Sequence, residues 1–213
     1  MCWVIKRELK FNNLDKLKIS ILDFYKLWWE IVNFTWWEPT IYKWFWDLLR
    51  FTKGLWLITS VSTNWSTFSK DFFENLYSNS ERLIDYIDIS IDWLREKHDI
   101  RRNYKWLFNL IDKYIEEIID NWIFLHINLT IRNDNIEEMI DIFNYLKQKK
   151  VNWISFWMIA SDPLNDTTRL IPSFMQLKKF YFEDINYIKN NKNNISIKFS
   201  PDYFDEDFEE FCN

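Results

Sequence analysis

Polar residues that could bind a ligand stand just past several apolar runs of the sequence. Glu38 follows one run, Asn64 follows the next, and Ser90 and Asp92 close a third. A carboxylate accepts hydrogen bonds from an amino group, hydroxyl and amide groups can donate and accept, and the guanidinium of Arg102 suits a carboxylate. Each residue alone could equally cap a helix or belong to a polar loop. As a set, they predict one converging polar rim.

Residues that usually hold metals or form nucleophilic pairs are scarce. The chain has two cysteines, Cys2 and Cys212, and two histidines, His98 and His126. These are too few for a disulfide framework, and no His/Cys pair has zinc-site spacing. His98 falls at a predicted polar turn, whereas His126 alternates within a predicted strand, where we expect it to pack or to hydrogen bond locally.

Strands and helices alternate along the predicted secondary structure. Short β-branched or aromatic runs predict strands at 31–35, 57–63, 86–92, 123–131, 154–159 and 195–199. Amphipathic stretches with a period near 3.6 residues predict helices at 14–27, 45–52, 71–77, 104–120, 136–149 and 173–189. This alternation favours a parallel sheet of βαβ units, in which the carboxyl ends of the strands would gather the polar rim at one edge.

Length and charge exclude several classes of protein. The 213 residues suffice for a domain with a full core, and the net charge of −5 argues against a generic nucleic-acid-binding surface. No apolar run reaches the ~18 residues of a membrane span, and no basic-then-apolar leader occurs. We therefore expect a cytoplasmic protein with no membrane or nucleic-acid partner.

Glycine and tryptophan occur in unusual numbers. The sequence has 1 Gly and 14 Trp, whereas average usage would give about 15 glycines. Several tryptophans follow predicted helices or strands, where the chain often needs left-handed backbone that glycine adopts without strain: Trp28, Trp36, Trp37, Trp65, Trp93, Trp122, Trp153 and Trp157. Trp46, inside a helical pattern, is the best candidate for a true tryptophan.

These positions suggest that most tryptophans stand where the native protein carries glycine. One simple cause is the codon UGA, which some genetic codes read as tryptophan and another reads as glycine. The alternative is a chain that is truly rich in tryptophan, such as a carbohydrate or lipid binder with exposed aromatic rings.

With glycine at Trp36 and Trp37, the segment that ends in Glu38 and Pro39 reads Gly-Gly-Glu-Pro. It then resembles a motif of the radical S-adenosylmethionine (radical SAM) superfamily. Further segments agree in order and spacing: Ser62-Thr63-Asn64-Trp65, Ser90-Ile91-Asp92-Trp93, and His98-Asp99 with Arg102 and Trp106. The resemblance implies an α/β fold, a partial (β/α)6 TIM-like barrel with a parallel sheet whose first strand is missing. Residues 1–172 would form this core, and residues 173–213 would add a helix, a strand and the possible start of an extension.

The resemblance also implies two cofactors, a [4Fe-4S] cluster and S-adenosylmethionine. Three thiolates normally hold the cluster and leave one iron open. Cys2 would be the last of these metal ligands, unless it is a chance cysteine near a start codon, and this chain should then not assemble a stable three-thiolate cluster. Cys212 could begin a cysteine-rich extension, although an inert thiol is the simpler reading.

Roles for the polar rim follow from the same resemblance. Glu38, with Pro39 and the backbone at Trp36 and Trp37, would hold the methionine amino group of the cofactor. Asn64, Ser90 and Asp92 would lie near its ribose and sulfonium, and Arg102 would bind its carboxylate. For Asp92 a helix cap, and for Arg102 a surface ion pair, are the alternatives.

The implied activity is reductive cleavage of S-adenosylmethionine, which gives a radical that abstracts a substrate hydrogen. An electron donor and an unknown peptide or small-molecule substrate would be the partners. Two other hypotheses stay open, a degenerate barrel that binds a ligand without catalysis and the tryptophan-rich binder.

Overall fold

Parallel strands alternate with helices in the computed structural model, which describes residues 13–35, 38–63, 72–78, 81–160 and 167–200. The strands are β1 (Ile31–Phe34), β2 (Ile58–Thr63), the short β3 (Tyr77–Ser78) and β4 (Glu81–Arg82), β5 (Tyr86–Ser90), β6 (Phe124–Ile131), β7 (Trp153–Met158) and β8 (Ser196–Ser200).

The helices are α1 (Leu14–Lys26), α2 (Phe45–Lys53), α3 (Arg95–Arg102), α4 (Leu107–Asp120), α5 (Met139–Gln148), α6 (Phe174–Lys179) and α7 (Ile185–Asn191). Short 3₁₀ turns cover Pro39–Ile41, Ile136–Glu138 and Thr168–Leu170, and a π-helical segment, Phe180–Asp184, joins α6 to α7.

Six strands form one sheet in the order β1-β2-β5-β6-β7-β8. Every neighbouring pair is parallel. The described residues include at least one helix between consecutive strands of this sheet, except between β2 and β5, where they form the β3–β4 hairpin. Within the described residues β8 does not pair with β1, so the sheet is not closed. The predicted α/β class with a partial-barrel parallel sheet is confirmed. Because β8 pairs with β7, the segment after residue 172 adds its strand to this same sheet.

The two faces of this sheet differ in polarity. Side chains on one face belong to a continuous apolar cluster that includes Val61, Ile87, Ile127 and Ile154, with α4 and α5 contributing Ile115 and Phe143 among others. Many of the alternate residues of the same strands are polar, among them Ser62, Asp88, His126, Asn128 and Ser155. This second face is called here the polar face. Because parallel sheets are usually apolar on both faces, its polarity indicates a candidate ligand-binding surface.

One predicted helix is wrong, and one observed helix was not predicted. Residues 72–76 form turns that lead into the β3–β4 hairpin, although Phe72 and Leu76 are spaced like one helix face. Both side chains are buried, and Leu83 N–H donates to the Leu76 carbonyl at 2.8 Å. In contrast, α3 is almost entirely charged, so its sequence carries no apolar periodicity that would reveal it.

The tryptophan positions fit the expected left-handed backbone only in part. Trp28 and Trp122 have φ angles of 62° and 58° at the ends of α1 and α4. Trp153 and Trp157 instead lie within β7, and Lys150 takes the left-handed position that ends α5. Trp93 also has a negative φ, so the expectation of glycine-like backbone is wrong at these three tryptophans.

Candidate functional site

Glu38 links the carboxyl ends of β1 and β2. Its side chain accepts hydrogen bonds from the Thr40 hydroxyl at 2.7 Å and backbone N–H at 3.2 Å, and from the Thr63 hydroxyl at 2.5 Å. The residue is only 7% exposed, and no lysine or arginine of the described residues forms an ion pair with it. A buried carboxylate whose donors are all neutral favours the approach of a cationic group.

Asp92 lies just beyond β5 and joins three elements. Its carboxylate accepts from Arg102 of α3 at 2.7 Å and from the Thr130 N–H of β6 at 2.9 Å. Asn135, which is fully buried, donates to the carbonyls of Asp92 at 3.0 Å and Thr130 at 2.7 Å. Asp92 therefore holds the loop after β5 against both α3 and β6, and Arg102 uses one nitrogen of its guanidinium in this ion pair.

Two residues before Asp92, Ser90 lies on the polar face near the carboxyl ends of the strands. Its register partner on β6 is Asn128, whose own partner on β7 is Ser155. The indole N–H of Trp157 donates to the Asn128 side-chain oxygen at 3.0 Å. Trp157 thus occupies the Asn128 side-chain oxygen at this edge.

A row of hydrogen bonds, here called the polar row, crosses the polar face. On β5 and β6 it lies two residues further from the carboxyl ends of the strands than Ser90 and Asn128. Asn33 and Asp88 each bond Ser62 at 3.1 Å. His126 then contacts Asp88 through Nδ1 at 2.5 Å and Ser155 through Nε2 at 2.8 Å. Since a carboxylate only accepts, Nδ1 donates to Asp88, and Nε2 and the Ser155 hydroxyl share the second hydrogen bond. The predicted local hydrogen bonding of His126 is confirmed.

His98 lies inside α3 rather than at a turn. It is 1% exposed, and neither ring nitrogen has a hydrogen-bond partner among the described residues. Burial first, and then the Arg102 charge, lower the pKa of His98 to about 4. The ring is therefore neutral near pH 7 and packs edge-on against Phe108.

A cavity of about 990 Å³ opens among α3, α4 and α5, and its lining includes none of the predicted site residues that the structure describes. Lys149 forms ion pairs there with Asp112 at 2.6 Å and with Glu116 at 2.7 Å, and the Tyr145 hydroxyl donates to Asp112 at 2.5 Å. Burial and the Asp112 charge raise the pKa of Tyr145 well above its ordinary value. The ionisable groups here neutralise one another, so the polar face is the better candidate.

Comparison with known proteins gives consistent relatives. No family model matches the chain. A curated relative, the Fe-coproporphyrin III synthase of Methanosarcina barkeri, is 23% identical over 162 residues, which cover 75% of this chain and 40% of that protein. Solved structure matches include Streptococcus suis SuiB bound to S-adenosylmethionine, with a TM-score of 0.68, 18% identity and coverage of 99% of this chain and 50% of that one. Another is anSMEcpe with bound AdoMet and a peptide, with a TM-score of 0.66, 15% identity and coverage of 87% and 55%.

The chain has the fold of the radical SAM enzymes. This finding confirms the resemblance that the motifs at Glu38, Asn64 and Asp92 suggested. The chain spans less than half the length of its curated relative and about half the length of the two solved structures.

The radical SAM fold places some of the predicted site residues and leaves others outside the described chain. Glu38, Ser90, Asp92 and Arg102 all lie at or beyond the carboxyl ends of the strands, and Pro39 is buried at the start of the 3₁₀ turn after Glu38. Cys2, Trp36, Trp37, Asn64 and Cys212 fall outside the described residues. Within those residues, no group of three or more His, Cys, Asp or Glu side chains could hold a metal ion. No helix among them is long and apolar enough to cross a membrane.

Sequence reasoning missed much of the radical SAM fold's polar face. Asp88, Ser62 and Ser155 were not singled out as part of one hydrogen-bonded row, and neither was the buried Asn135. A signal for part of the row was present, because β5 and β6 alternate polar and apolar residues, whereas fully buried parallel strands do not. For Asn135 no comparable signal exists in a single sequence.

Proposed function

We propose that this chain forms the core of a radical SAM enzyme that binds S-adenosylmethionine and a [4Fe-4S] cluster and acts on a peptide or small molecule. The single observation that carries the proposal is the buried carboxylate of Glu38 at the carboxyl ends of β1 and β2, which forms no ion pair with a lysine or arginine of the described residues. The cofactor, when bound to the cluster and given an electron, supplies a radical that removes a hydrogen atom from a substrate.

Glu38 fits the amino group of S-adenosylmethionine. An ammonium group offers the cationic partner that the described residues do not provide, and its hydrogen bonds to a carboxylate are charge-assisted. The Thr40 and Thr63 hydroxyls hold the carboxylate in place, so it is oriented before a ligand arrives. Glycine at Trp36 and Trp37 would let the neighbouring backbone approach the same group.

Asp92 and Arg102 would act as a pair rather than separately. Arg102 keeps one edge of its guanidinium on Asp92, so a ligand carboxylate would have to share it. Ser90 and Asn64 would then contribute hydroxyl and amide groups to the ribose side. Cys2 would supply one thiolate to the cluster.

The substrate class rests on the neighbours and on the polar face. SuiB has been solved with its precursor peptide SuiA, and anSMEcpe has been solved with a peptide. A polar face lined by hydroxyl, amide and imidazole groups suits the N–H and C=O groups of a peptide. We therefore propose a peptide as the first substrate class to test, with an external electron donor.

The test uses the complete open reading frame that contains this chain, produced without oxygen and reconstituted with iron and sulfide. We expect a visible absorption band from the cluster, and 5′-deoxyadenosine after a reductant and S-adenosylmethionine are added. Equilibrium dialysis should show that Glu38→Gln weakens S-adenosylmethionine binding by about tenfold or more, because a charge-assisted hydrogen bond is lost.

Glu30→Gln is the matched control, since Glu30 is an exposed carboxylate at the opposite end of β1. It should bind S-adenosylmethionine like the unchanged protein. An open reading frame without further cysteines that takes up no iron would contradict the proposal and favour a degenerate barrel. Equal binding by Glu38→Gln would remove Glu38 from the site.

A further inference from the structure

Left-handed backbone occurs at tryptophan with unusual frequency in this protein. The φ angles are 62° at Trp28, 62° at Trp56, 68° at Trp106 and 58° at Trp122. These are four of the eight residues with positive φ in the described chain. Among residues other than glycine, positive φ is uncommon and is found mainly at Asn, Asp and His, whereas for a bulky residue it is an outlier.

Three of these tryptophans close a helix through the same pair of hydrogen bonds. Trp28 N–H donates to the Tyr25 carbonyl at 3.0 Å, and the following N–H, of Trp29, donates to the Phe24 carbonyl at 3.2 Å. The same pattern recurs at Trp56, with distances of 2.8 and 3.4 Å, and at Trp122, with distances of 3.0 and 3.2 Å. This is the Schellman arrangement, whose left-handed position is usually glycine.

The side chains gain almost nothing in return for this backbone strain. Trp28 is 91% exposed, Trp56 is 90% exposed and Trp122 is 87% exposed. A left-handed conformation costs a residue with a Cβ atom free energy that glycine does not lose. Since the indoles bury little surface, packing does not offset the cost.

The three helix ends are also remote from the candidate site. Trp28, Trp56 and Trp122 precede β1, β2 and β6 respectively, so they lie at the amino ends of the strands. The polar residues of the site lie at the carboxyl ends. An aromatic ligand-binding surface at the site would not need tryptophans at the other edge.

We infer that the protein made in its own cell carries glycine at Trp28, Trp56, Trp106 and Trp122, and that UGA encodes these four positions. The inference goes beyond the proposed function and does not depend on it. Its evidence is backbone geometry at the helix boundaries rather than the composition of the chain.

The first test measures thermal unfolding of the full chain. Trp28→Gly, Trp56→Gly and Trp122→Gly should each raise the unfolding midpoint by about 2–4 °C, because strain is relieved and little buried surface is lost. The increments should add, since the sites lie on different helices. Lys150→Gly serves as a positive reference, because Lys150 has φ 59° in the same hydrogen-bond pattern without an indole.

Trp46→Gly is the matched negative control. Trp46 lies inside α2 and packs against Phe45 and Phe72, with ring centroids 5.0 and 5.4 Å apart, so its replacement should lower the midpoint. A lower midpoint for the helix-end variants while Lys150→Gly rises would overturn the inference.

The second test reads the residues directly. Peptide masses of the protein purified from its own cells should match glycine at the four positions, and the gene should carry UGA there. UGG codons and tryptophan masses would overturn the inference and favour the tryptophan-rich binder. Neither result depends on whether the protein cleaves S-adenosylmethionine, so the outcome is separate from that of the proposed function.

Discussion

His98 is the residue whose environment differs most from what its type requires. A histidine normally uses at least one ring nitrogen in a hydrogen bond, yet here both nitrogens are buried and neither has a partner in the described part of the chain. Burial keeps the ring neutral by lowering its pKa to about 4. The side chain therefore acts as an aromatic filler between Phe108 and the Asp92–Arg102 ion pair.

This burial predicts a loss of stability in mild acid. Between pH 6.5 and 4 the unfolded chain binds a proton at this position and the folded chain does not, so the free energy of unfolding falls as the pH falls. The loss amounts to about 3 kcal/mol at pH 4. Urea unfolding at several pH values should show a shallower decline for His98→Phe, which cannot titrate.

The control is His126→Phe, which removes the second histidine and leaves His98 in place. Because His98 is still present, the free energy of unfolding of this variant should decline below pH 6.5 as steeply as that of the unchanged chain. Equal slopes for the unchanged chain and His98→Phe would contradict the prediction.

Among the elements, α4 owes its first turn to a residue outside the helix. Asp99 of α3 accepts hydrogen bonds from the N–H groups of Trp106 and Phe108, both at 2.7 Å. The side chain of Trp106, at the cap position, makes no capping hydrogen bond. Asp99 of the preceding helix supplies the missing acceptor instead and so caps α4.

Asp99→Ala should therefore lower the free energy of unfolding by about 1–2 kcal/mol, the usual cost of a lost helix cap. The matched control is Asp120→Ala in the last turn of the same helix, where a negative charge opposes the helix dipole and its removal should be neutral or slightly stabilising. Urea denaturation compares the two variants, and equal losses would show that the cap does not matter.

The elements also show what could be predicted from sequence. The six long strands were predictable because β-branched and aromatic residues cluster there, as in β6. α3 was not, because a helix held by charged residues and one buried His98 has no apolar stripe. The sequence of residues 72–76 predicts a helix instead of the observed turns, because only tertiary packing decides between the two for Phe72 and Leu76.

Across the whole molecule, the polar row ties together five strands. It begins at Asn33 on β1, passes Ser62, Asp88 and His126, and ends at Ser155 on β7. Trp153 stacks on the imidazole with ring centroids 4.7 Å apart. The row therefore stabilises the strand arrangement through side chains as well as through the backbone ladder.

This linkage predicts energetic coupling between distant strands. His126→Phe keeps the stacking on Trp153 but leaves Asp88 and Ser155 without their central partner, and should cost about 2–4 kcal/mol. A double-mutant cycle of Asp88→Asn and Ser155→Ala, measured by urea denaturation, should give a coupling of about 0.5 kcal/mol or more. Strict additivity of the two single changes would show that the row does not act as a unit.

Candidate site residues could be named from the sequence, but their network could not. Asp92 was named from its place at a strand end and Arg102 from the family resemblance. A single sequence does not show that they bind each other, because their contact depends on how α3 packs on the sheet. The same holds for Glu38, whose threonine partners come from two separate segments.

The contact between Trp157 and Asn128 places an internal hydrogen-bond donor where a bound ligand could otherwise donate. The indole N–H donates to the amide oxygen at 3.0 Å, and Trp157 as a residue is 44% exposed. The pairing of β6 with β7 keeps the indole next to this oxygen. A ligand that donates to the same lone pair of the Asn128 oxygen competes with the indole. The measured affinity of such a ligand therefore includes this internal competition in addition to its own contacts.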